Sequence, residues 1–200
     1  MKNDKHPLAG IDYGSKMAGT TVIATLDVGG QVQFAASQAK KDADAFVRQH
    51  FSERPPHAIF IDAPLSLPAK YRRVPGYDDY FYRQADRALK AMSPMFLGGL
   101  TARAMRLREQ LEDQGHQLYE VYPGGLARHL ELDQLAYKKK KSDLAPFLAH
   151  LAQILPLSFR AQDLPNWHHV DALLALYCGY RFQADQHQSY GDPAEGQIFI

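Results

Sequence analysis

The chain has 200 residues, of which 46% are hydrophobic and 11% aromatic, and this composition excludes a disordered protein. The formal net charge of +1 gives no overall attraction to nucleic acid, and the single cysteine, Cys178, excludes an internal disulfide. No apolar run approaches the length of a transmembrane helix, and no charged-then-apolar leader opens the chain. We therefore expect one cytoplasmic domain over residues 1–200, with no membrane contact.

The first predicted element is a short buried strand over residues 8–12, an apolar run that ends in Asp12 and is followed by a turn at Gly14. Two further strands are predicted over residues 20–26 and 31–35, joined by a Gly-Gly turn. Asp12 would then lie at the end of the first strand of a meander. It either caps the turn or belongs to a site for phosphate or metal chemistry, and the local pattern leaves both interpretations open.

An amphipathic crossover helix is predicted over residues 41–51, ended by Pro55 and Pro56. The next apolar run, residues 57–62, ends in Asp62 and is typical of a central parallel strand that is covered on both faces. Ligands bind at the carboxyl ends of the strands in an open α/β sheet. If the two strands are parallel neighbours, Asp12 and Asp62 face each other there, which favours a site over chance.

Residues 64–100 interrupt this alternation directly after Asp62, and we predict a lid-like insertion that overhangs the site. Tyrosines and a phenylalanine are interleaved there with Arg72, Arg73 and Arg83. Such a pattern can stack bases and hold phosphates. The interpretation that we favour is a lid helix whose aromatic face packs on the body of the domain. Residues 92–99 are predicted to be a loop.

A helix capped by Thr101 and ended by Gly115 is predicted next, followed by a strand over residues 117–123 that carries Glu120. A glutamate in a buried strand requires either a metal or a basic neighbour. Short helices are predicted over residues 124–130 and 143–155. The lysines at 138–141 that precede the second of these are interpreted as a solvated loop.

The last predicted helix begins after Asn166, which is a good cap, and carries His168 and Asp171 three residues apart. Residues at this spacing share one face of a helix. An aspartate near the start of an otherwise apolar helix suggests a functional role. Pairing with an arginine is the structural alternative.

Several motifs occur in an order that resembles the DUF429 family, whose members are predicted nucleases with a ribonuclease H-like fold. They are IDYG at residues 11–14, IDAPLSLP at 61–68, EVYP at 120–123, HVDA at 169–172 and GDPAEG at 191–196. The spacing of His168 and Asp171 is also similar to the last-helix motif of Holliday-junction resolvases of that fold. The resemblance implies an α/β fold in which helices flank a five-stranded mixed sheet of order 3-2-1-4-5. It also implies Asp12, Asp62 and Asp171 as metal ligands, with Glu120 and His168 as further catalytic residues.

The resulting hypothesis is metal-assisted hydrolysis of phosphodiester bonds in DNA or RNA. Carboxylate ligands suit hard cations such as Mg²⁺ or Mn²⁺, and two such ions about 3.5–4 Å apart are the usual arrangement for this chemistry. Basic residues would hold the nucleic-acid backbone. The predicted substrate-binding residues are Lys16, Arg72, Arg73, Arg83 and Arg103.

Two alternatives remain at this stage. The first is a non-catalytic module on the same fold that binds nucleic acid or protein. The second is a phosphotransferase of the sugar-kinase and actin type, because residues 10–14 also resemble the first phosphate loop of those proteins. Those proteins enclose their nucleotide between two such domains, whereas 200 residues supply only one.

Overall fold

The computed structural model of the protein describes residues 7–27, 29–52, 54–55, 57–135, 137–140 and 143–200. Pro56 and Lys141, which entered the predictions above, lie outside these ranges. The strands are β1 (Leu8–Asp12), β2 (Val22–Leu26), β3 (Val32–Ala36), β4 (Ala58–Asp62), β5 (Gln117–Glu120), β6 (Ser189–Tyr190) and β7 (Ile198–Phe199). The α-helices are α1 (Ala43–Phe51), α2 (Gln84–Leu89), α3 (Pro94–Leu97), α4 (Gly99–Glu112), α5 (Pro123–His129), α6 (Leu144–Ile154) and α7 (Trp167–Gln183).

Five strands form one mixed sheet in the order β3-β2-β1-β4-β5. β1 pairs antiparallel with β2 and parallel with β4, and β5 continues the sheet parallel to β4. The predicted fold class and strand order are therefore confirmed. In the parallel pair of β1 and β4, Asp12 is the register partner of Asp62.

Helices cover both faces of this sheet. Ile11 of β1 and Ile61 of β4 pack in the core beneath α1 and α4. Because successive side chains of a strand point to opposite faces, the next residues, Asp12 and Asp62, point to the other face. That face is covered by α7, which contacts β1 and β4 along its length. The alternation of side chains thus directs both strand-end acids toward the same helix.

Two glycines allow α7 to lie very close to the sheet. A Cβ atom placed on Gly10 would lie 2.1 Å from the backbone nitrogen of Leu176 and 2.4 Å from the carbonyl oxygen of Ala172. On the helix, a Cβ on Gly179 would lie 2.5 Å from the ring of Phe60. Any larger residue at either position would push α7 away from the strands and therefore away from Asp12 and Asp62.

The structure differs from the predictions in several places. The strand predicted over residues 117–123 ends at Glu120, because Pro123 begins α5. Residues 92–99 are not a loop throughout, because Ser93 caps the short helix α3 and Pro94 occupies its first position. Thr101 does not cap α4: it lies inside the first turn, where its hydroxyl donates to the carbonyl of Pro94 at 2.8 Å. The hairpin of β6 and β7 was not predicted, since strands of two residues are too short to show a periodic pattern. No helix within the described ranges is long and apolar enough to cross a bilayer.

Candidate metal centre

Three aspartates from three separate elements meet at the carboxyl end of the sheet. Asp12 ends β1, Asp62 ends β4, and Asp171 lies in the second turn of α7. Each offers one carboxylate oxygen, and these three oxygens lie within 4.8 Å of one another. Asp12 and Asp171 are buried, with 9% and 1% of their surface exposed. We call this cluster the acid triad. It could hold a metal ion.

The first two turns of α7 position His168 and Asp171 in the site. The side chain of Asn166 caps the helix by accepting the backbone N–H groups of His168 and His169, as the sequence predicted. One turn of helix then places His168 and Asp171 on the same side. The Nδ1 atom of His168 lies 2.8 Å from Oδ2 of Asp12, and this hydrogen bond raises the pKa of His168. Its Nε2 atom has no hydrogen-bond partner in the described part of the chain.

The acids of the triad differ in their partners. The carboxylate of Asp171 accepts the hydroxyl of Tyr137 at Oδ1 and forms an ion pair with Nζ of Lys138 at Oδ2. Asp12 is paired with His168. Within the described ranges, Asp62 makes no hydrogen bond or ion pair through its carboxylate. Asp62 therefore contributes to the triad a carboxylate that has no hydrogen-bond or ion-pair partner among the described residues.

Burial and repulsion between the acids raise the pKa of Asp62 and of Asp171. Burial is the main cause that raises the pKa of Asp62 well above its usual value, and the negative charges of Asp171 and Asp12 raise it further. Burial also raises the pKa of Asp171, to about 6, although the ammonium of Lys138 opposes this shift. One lysine therefore does not balance the three carboxylates.

The donor set fits a hard divalent cation. All three donors are carboxylate oxygens, which Mg²⁺, Mn²⁺ and Ca²⁺ prefer, and softer sulfur ligands are absent from the triad. A cation at this point would relieve the repulsion that raises the pKa of Asp62. The unpartnered carboxylate of Asp62 is the feature that a cation would satisfy most directly.

The carboxylate of Glu120, which was predicted to assist catalysis, forms an ion pair with a buried arginine. Arg83 is fully buried and donates to both oxygens of Glu120, at 2.6 and 2.7 Å. Its other donors go to Asp86 and to the hydroxyl of Ser66. All five guanidinium N–H groups are thus used within the protein. The expected basic neighbour of Glu120 is present, and Arg83 has no donor left for a substrate.

Most other predicted substrate-binding residues are also engaged within the chain. Lys16 forms an ion pair with Asp42 at 3.2 Å, and Arg72 donates to backbone carbonyls near the C-terminus, including that of Glu195. Arg103 forms an ion pair with Asp44 of α1 at 2.6 Å. Arg73 is exposed, and its guanidinium makes no hydrogen bond in the described part of the chain.

Tyr137 and Lys138 are the site residues that the sequence analysis missed. The lysines at 138–141 were interpreted as a solvated loop. Lys138 is exposed in a turn, as that interpretation predicts, but its ammonium also forms an ion pair with Asp171. Periodicity says nothing about a residue in an irregular connection, so the lysine run alone could not reveal this contact. The aromatic residue directly before the run was the only available signal.

Residues 64–100 form one wall of a cavity beside the triad. The cavity has a volume of about 420 Å³, and its lining residues include Asp62, Lys138, Leu97 and Leu100. The wall is held by Glu195, which is buried and accepts the backbone N–H groups of Ala69 at 3.0 Å and of Gln84 at 2.7 Å. The segment is therefore fixed to the body of the domain at two points.

Comparison with known proteins gives one match. A sequence model described as "Protein of unknown function (DUF429)" matches residues 95–196, just over half of the chain. No curated protein and no solved structure matches. Of the triad, Asp171 lies within the matched residues, whereas Asp12 and Asp62 precede them.

Proposed function

We propose that this chain, which belongs to the DUF429 family, is a metal-dependent hydrolase that cleaves phosphodiester bonds of DNA or RNA. The observation that carries the proposal is the convergence of Asp12, Asp62 and Asp171 within 4.8 Å at the carboxyl end of the sheet. Mg²⁺ or Mn²⁺ is the proposed cation, because both prefer oxygen ligands and retain water molecules.

The three aspartates would hold the cation, with Asp62 as the ligand whose carboxylate makes no hydrogen bond or ion pair within the described ranges. When bound, the cation supplies charge stabilisation for a phosphodiester and an activated water. In the net reaction, a water oxygen forms a bond to phosphorus and the bond from phosphorus to the leaving oxygen breaks. The products are a phosphate monoester and an alcohol, whose oxygen receives a proton.

His168 is placed to move one of these protons. Its Nδ1 atom is held by Asp12 at 2.8 Å, which fixes the orientation of the ring. The Nε2 atom has no partner in the described part of the chain, and 45% of the side chain is exposed. We assign Nε2 of His168 as the group that exchanges a proton with water or with the leaving oxygen.

Lys138 would contribute a positive charge to the site and would not transfer a proton. Its ammonium neutralises part of the triad through Asp171, and it also lines the cavity beside Asp62. A phosphodiester that enters this cavity would meet a positive charge next to the carboxylates. This favours an anionic substrate at a site whose acids alone would repel it.

The experiment is a cleavage assay on single- and double-stranded DNA and RNA, with Mn²⁺, with Mg²⁺ and with a chelator. We expect cleavage only with a divalent cation and none for Asp62→Asn. Asp185→Asn is the matched control, since Asp185 lies in the turn after α7 in a left-handed conformation that asparagine tolerates. Cleavage that survives chelation or persists in Asp62→Asn would overturn the proposal, and cation-independent binding without cleavage would favour the non-catalytic module.

A further inference from the structure

We propose that the cavity beside Asp62 receives one unpaired, apolar ring that is attached to the phosphodiester to be cleaved. This inference rests on the proposed function and names the class of its substrate. A nucleobase of a single strand and the aromatic ester group of a small phosphodiester share this chemistry.

The size of the cavity suits a small organic ring. Its volume of about 420 Å³ lies in the range of about 300–1,000 Å³ that is usual for sites that bind small organic ligands. A space of this size accommodates a ring with its ester. It does not accommodate a continuous double helix, whose bases are paired and stacked.

The walls of the cavity are largely apolar. Apart from the charged groups, the cavity is lined chiefly by apolar side chains, among them Met92, Leu97, Leu100, Val121 and Ile198. Such walls favour the burial of an apolar ring, and a methionine makes favourable contacts with aromatic groups.

The charged groups that line the cavity fall into two sets, one satisfied by its own hydrogen bonds and one that includes Asp62 of the triad. Arg83, Asp86 and Glu120 line it as well, but they satisfy one another through the hydrogen bonds described above. They therefore have little capacity to read the polar edge of a base. Asp62 and Lys138 mark the side at which the phosphodiester would lie. The arrangement predicts recognition of a ring next to a phosphate, with little discrimination among bases.

The wall is also preformed. Arg83, at the start of α2, is tied to Glu120 of β5, and Glu195 holds the backbone at Ala69 and Gln84. Because these anchors are buried, the cavity does not need to be assembled by the ligand, and the entropic cost of binding is reduced.

The first test compares the binding of phenyl phosphate and methyl phosphate to the Mn²⁺-loaded protein by calorimetry. Burial of the ring should make phenyl phosphate bind about tenfold more tightly or better. Leu97→Trp, which fills the cavity, should reduce this preference to about twofold or less. Phe96→Trp is the matched control, since Phe96 lies on the same helix with 62% of its surface exposed, and it should keep the preference.

Circular dichroism and the Mn²⁺-induced melting shift establish that Leu97→Trp is folded and still binds metal. If it is not folded, Met92→Trp replaces it, because Met92 lines the same cavity and is exposed at its edge. Equal affinity for the two phosphates in the wild type, or an undiminished preference in the folded filling variant, would overturn the inference.

The second test separates the two sources of the ring. Substrates are a single strand, a duplex closed by hairpins at both ends, and thymidine 5′-(4-nitrophenyl phosphate). Cleavage of the single strand in preference to the closed duplex assigns the ring to nucleic acid, and cleavage of the small ester alone assigns it to small phosphodiesters; both support the inference. Cleavage of the closed duplex as fast as the single strand would overturn it.

The failures of the two proposals are distinguishable. If Mn²⁺ stabilises the protein and supports cleavage, but the ring preference is absent, only the cavity assignment fails. If Mn²⁺ neither stabilises the protein nor supports cleavage of any substrate, the proposed function fails as well.

Discussion

Lys138 forms an ion pair with Oδ2 of Asp171, while the hydroxyl of Tyr137 donates to Oδ1 of the same carboxylate. A positive charge thus lies directly against the acid triad, where a metal ion would also be attracted. Because like charges repel, the ammonium and a divalent cation oppose each other at this carboxylate. In the metal-free protein, however, the lysine stabilises the fold by offsetting the repulsion among the acids.

We therefore expect Lys138→Met to have opposite effects with and without metal. Without metal it should lower the free energy of unfolding by about 1 kcal/mol, since one partner of the pair is buried but the lysine side chain is 45% exposed. With Mn²⁺ the stabilisation should be larger than in the wild type. Melting curves over a Mn²⁺ titration measure both effects.

Lys139→Met is the control for this prediction, because Lys139 is the exposed neighbour of Lys138. It removes the same charge from the chain without removing the contact to Asp171. If Lys138→Met responded to Mn²⁺ no more strongly than Lys139→Met, the ammonium would not compete with the cation.

Asp62→Asn should stabilise the metal-free protein at pH 7 by about 1 kcal/mol. The substitution removes a carboxyl group whose charged form is disfavoured by burial and by repulsion from Asp171 and Asp12, and which has no protein partner in the described part of the chain. For a domain of this size, the gain corresponds to a rise of about 2–4 °C in the melting temperature. The variant should also lose most of the Mn²⁺ stabilisation, which in the wild type reaches about 2.7 kcal/mol at a hundredfold excess over Kd.

Asp44→Asn provides the contrasting substitution. Asp44 is buried, as Asp12 and Asp171 are, but it is paired with Arg103 at 2.6 Å. Its replacement should lower the free energy of unfolding by about 3 kcal/mol and leave the Mn²⁺ response unchanged. If Asp62→Asn lowered the free energy of unfolding as Asp44→Asn does, the repulsion attributed to Asp62 would be refuted.

The advantage of Asp62→Asn should also grow with pH. The folded state raises the pKa of Asp62 above its value of about 3.8 in the unfolded chain. The stability due to its protonated form is therefore fully present below pH 3.8 and is lost as the pH rises through the folded pKa. Asparagine mimics the protonated form at every pH. The difference in melting temperature between variant and wild type should increase as the pH rises above 4 and level off above the folded-state pKa of Asp62.

The pH dependence of the wild type alone does not isolate the effect of Asp62, because a histidine changes stability with pH in the opposite direction. Burial lowers the pKa of His50 from 6.5 to about 4, so its contribution to stability is present above pH 6.5 and is lost as the pH falls through 4. This contribution is the same in both proteins and cancels in the difference. A difference that stayed constant from pH 4 to pH 8 would contradict the raised pKa of Asp62.

The parts of the site that follow a regular period were predictable. Asp12 and Asp62 each end an apolar strand, and parallel pairing with alternating side chains places them together. Asp171 was predictable from its spacing to His168 on a capped helix. These inferences need only local geometry and the strand order, and the structure places all four side chains at one end of the sheet.

The remaining contacts were not predictable, because they join irregular segments to distant elements. Lys138 is separated from Asp171 by a whole helix, and no pattern links the two positions. Arg83, between an aromatic run and a helix that carries both Asp86 and Arg87, has the local sequence of a surface arginine, yet it is fully buried. The need of Glu120 for a basic partner was predictable from desolvation, but the identity of that partner depends on the path of residues 64–100.

Glu120→Gln tests whether this glutamate is structural or catalytic. Both of its oxygens bind Arg83, and Oε2 also accepts the backbone N–H of Leu65 at 2.8 Å. Loss of one charge from this buried pair should lower the free energy of unfolding by about 2–4 kcal/mol. The Mn²⁺ stabilisation should remain, because the triad itself is unchanged. Urea unfolding with and without Mn²⁺ measures both quantities, and Asp62→Asn serves as the reference that loses the metal response. A Glu120→Gln protein of wild-type stability with no response to Mn²⁺ would instead make Glu120 a metal ligand.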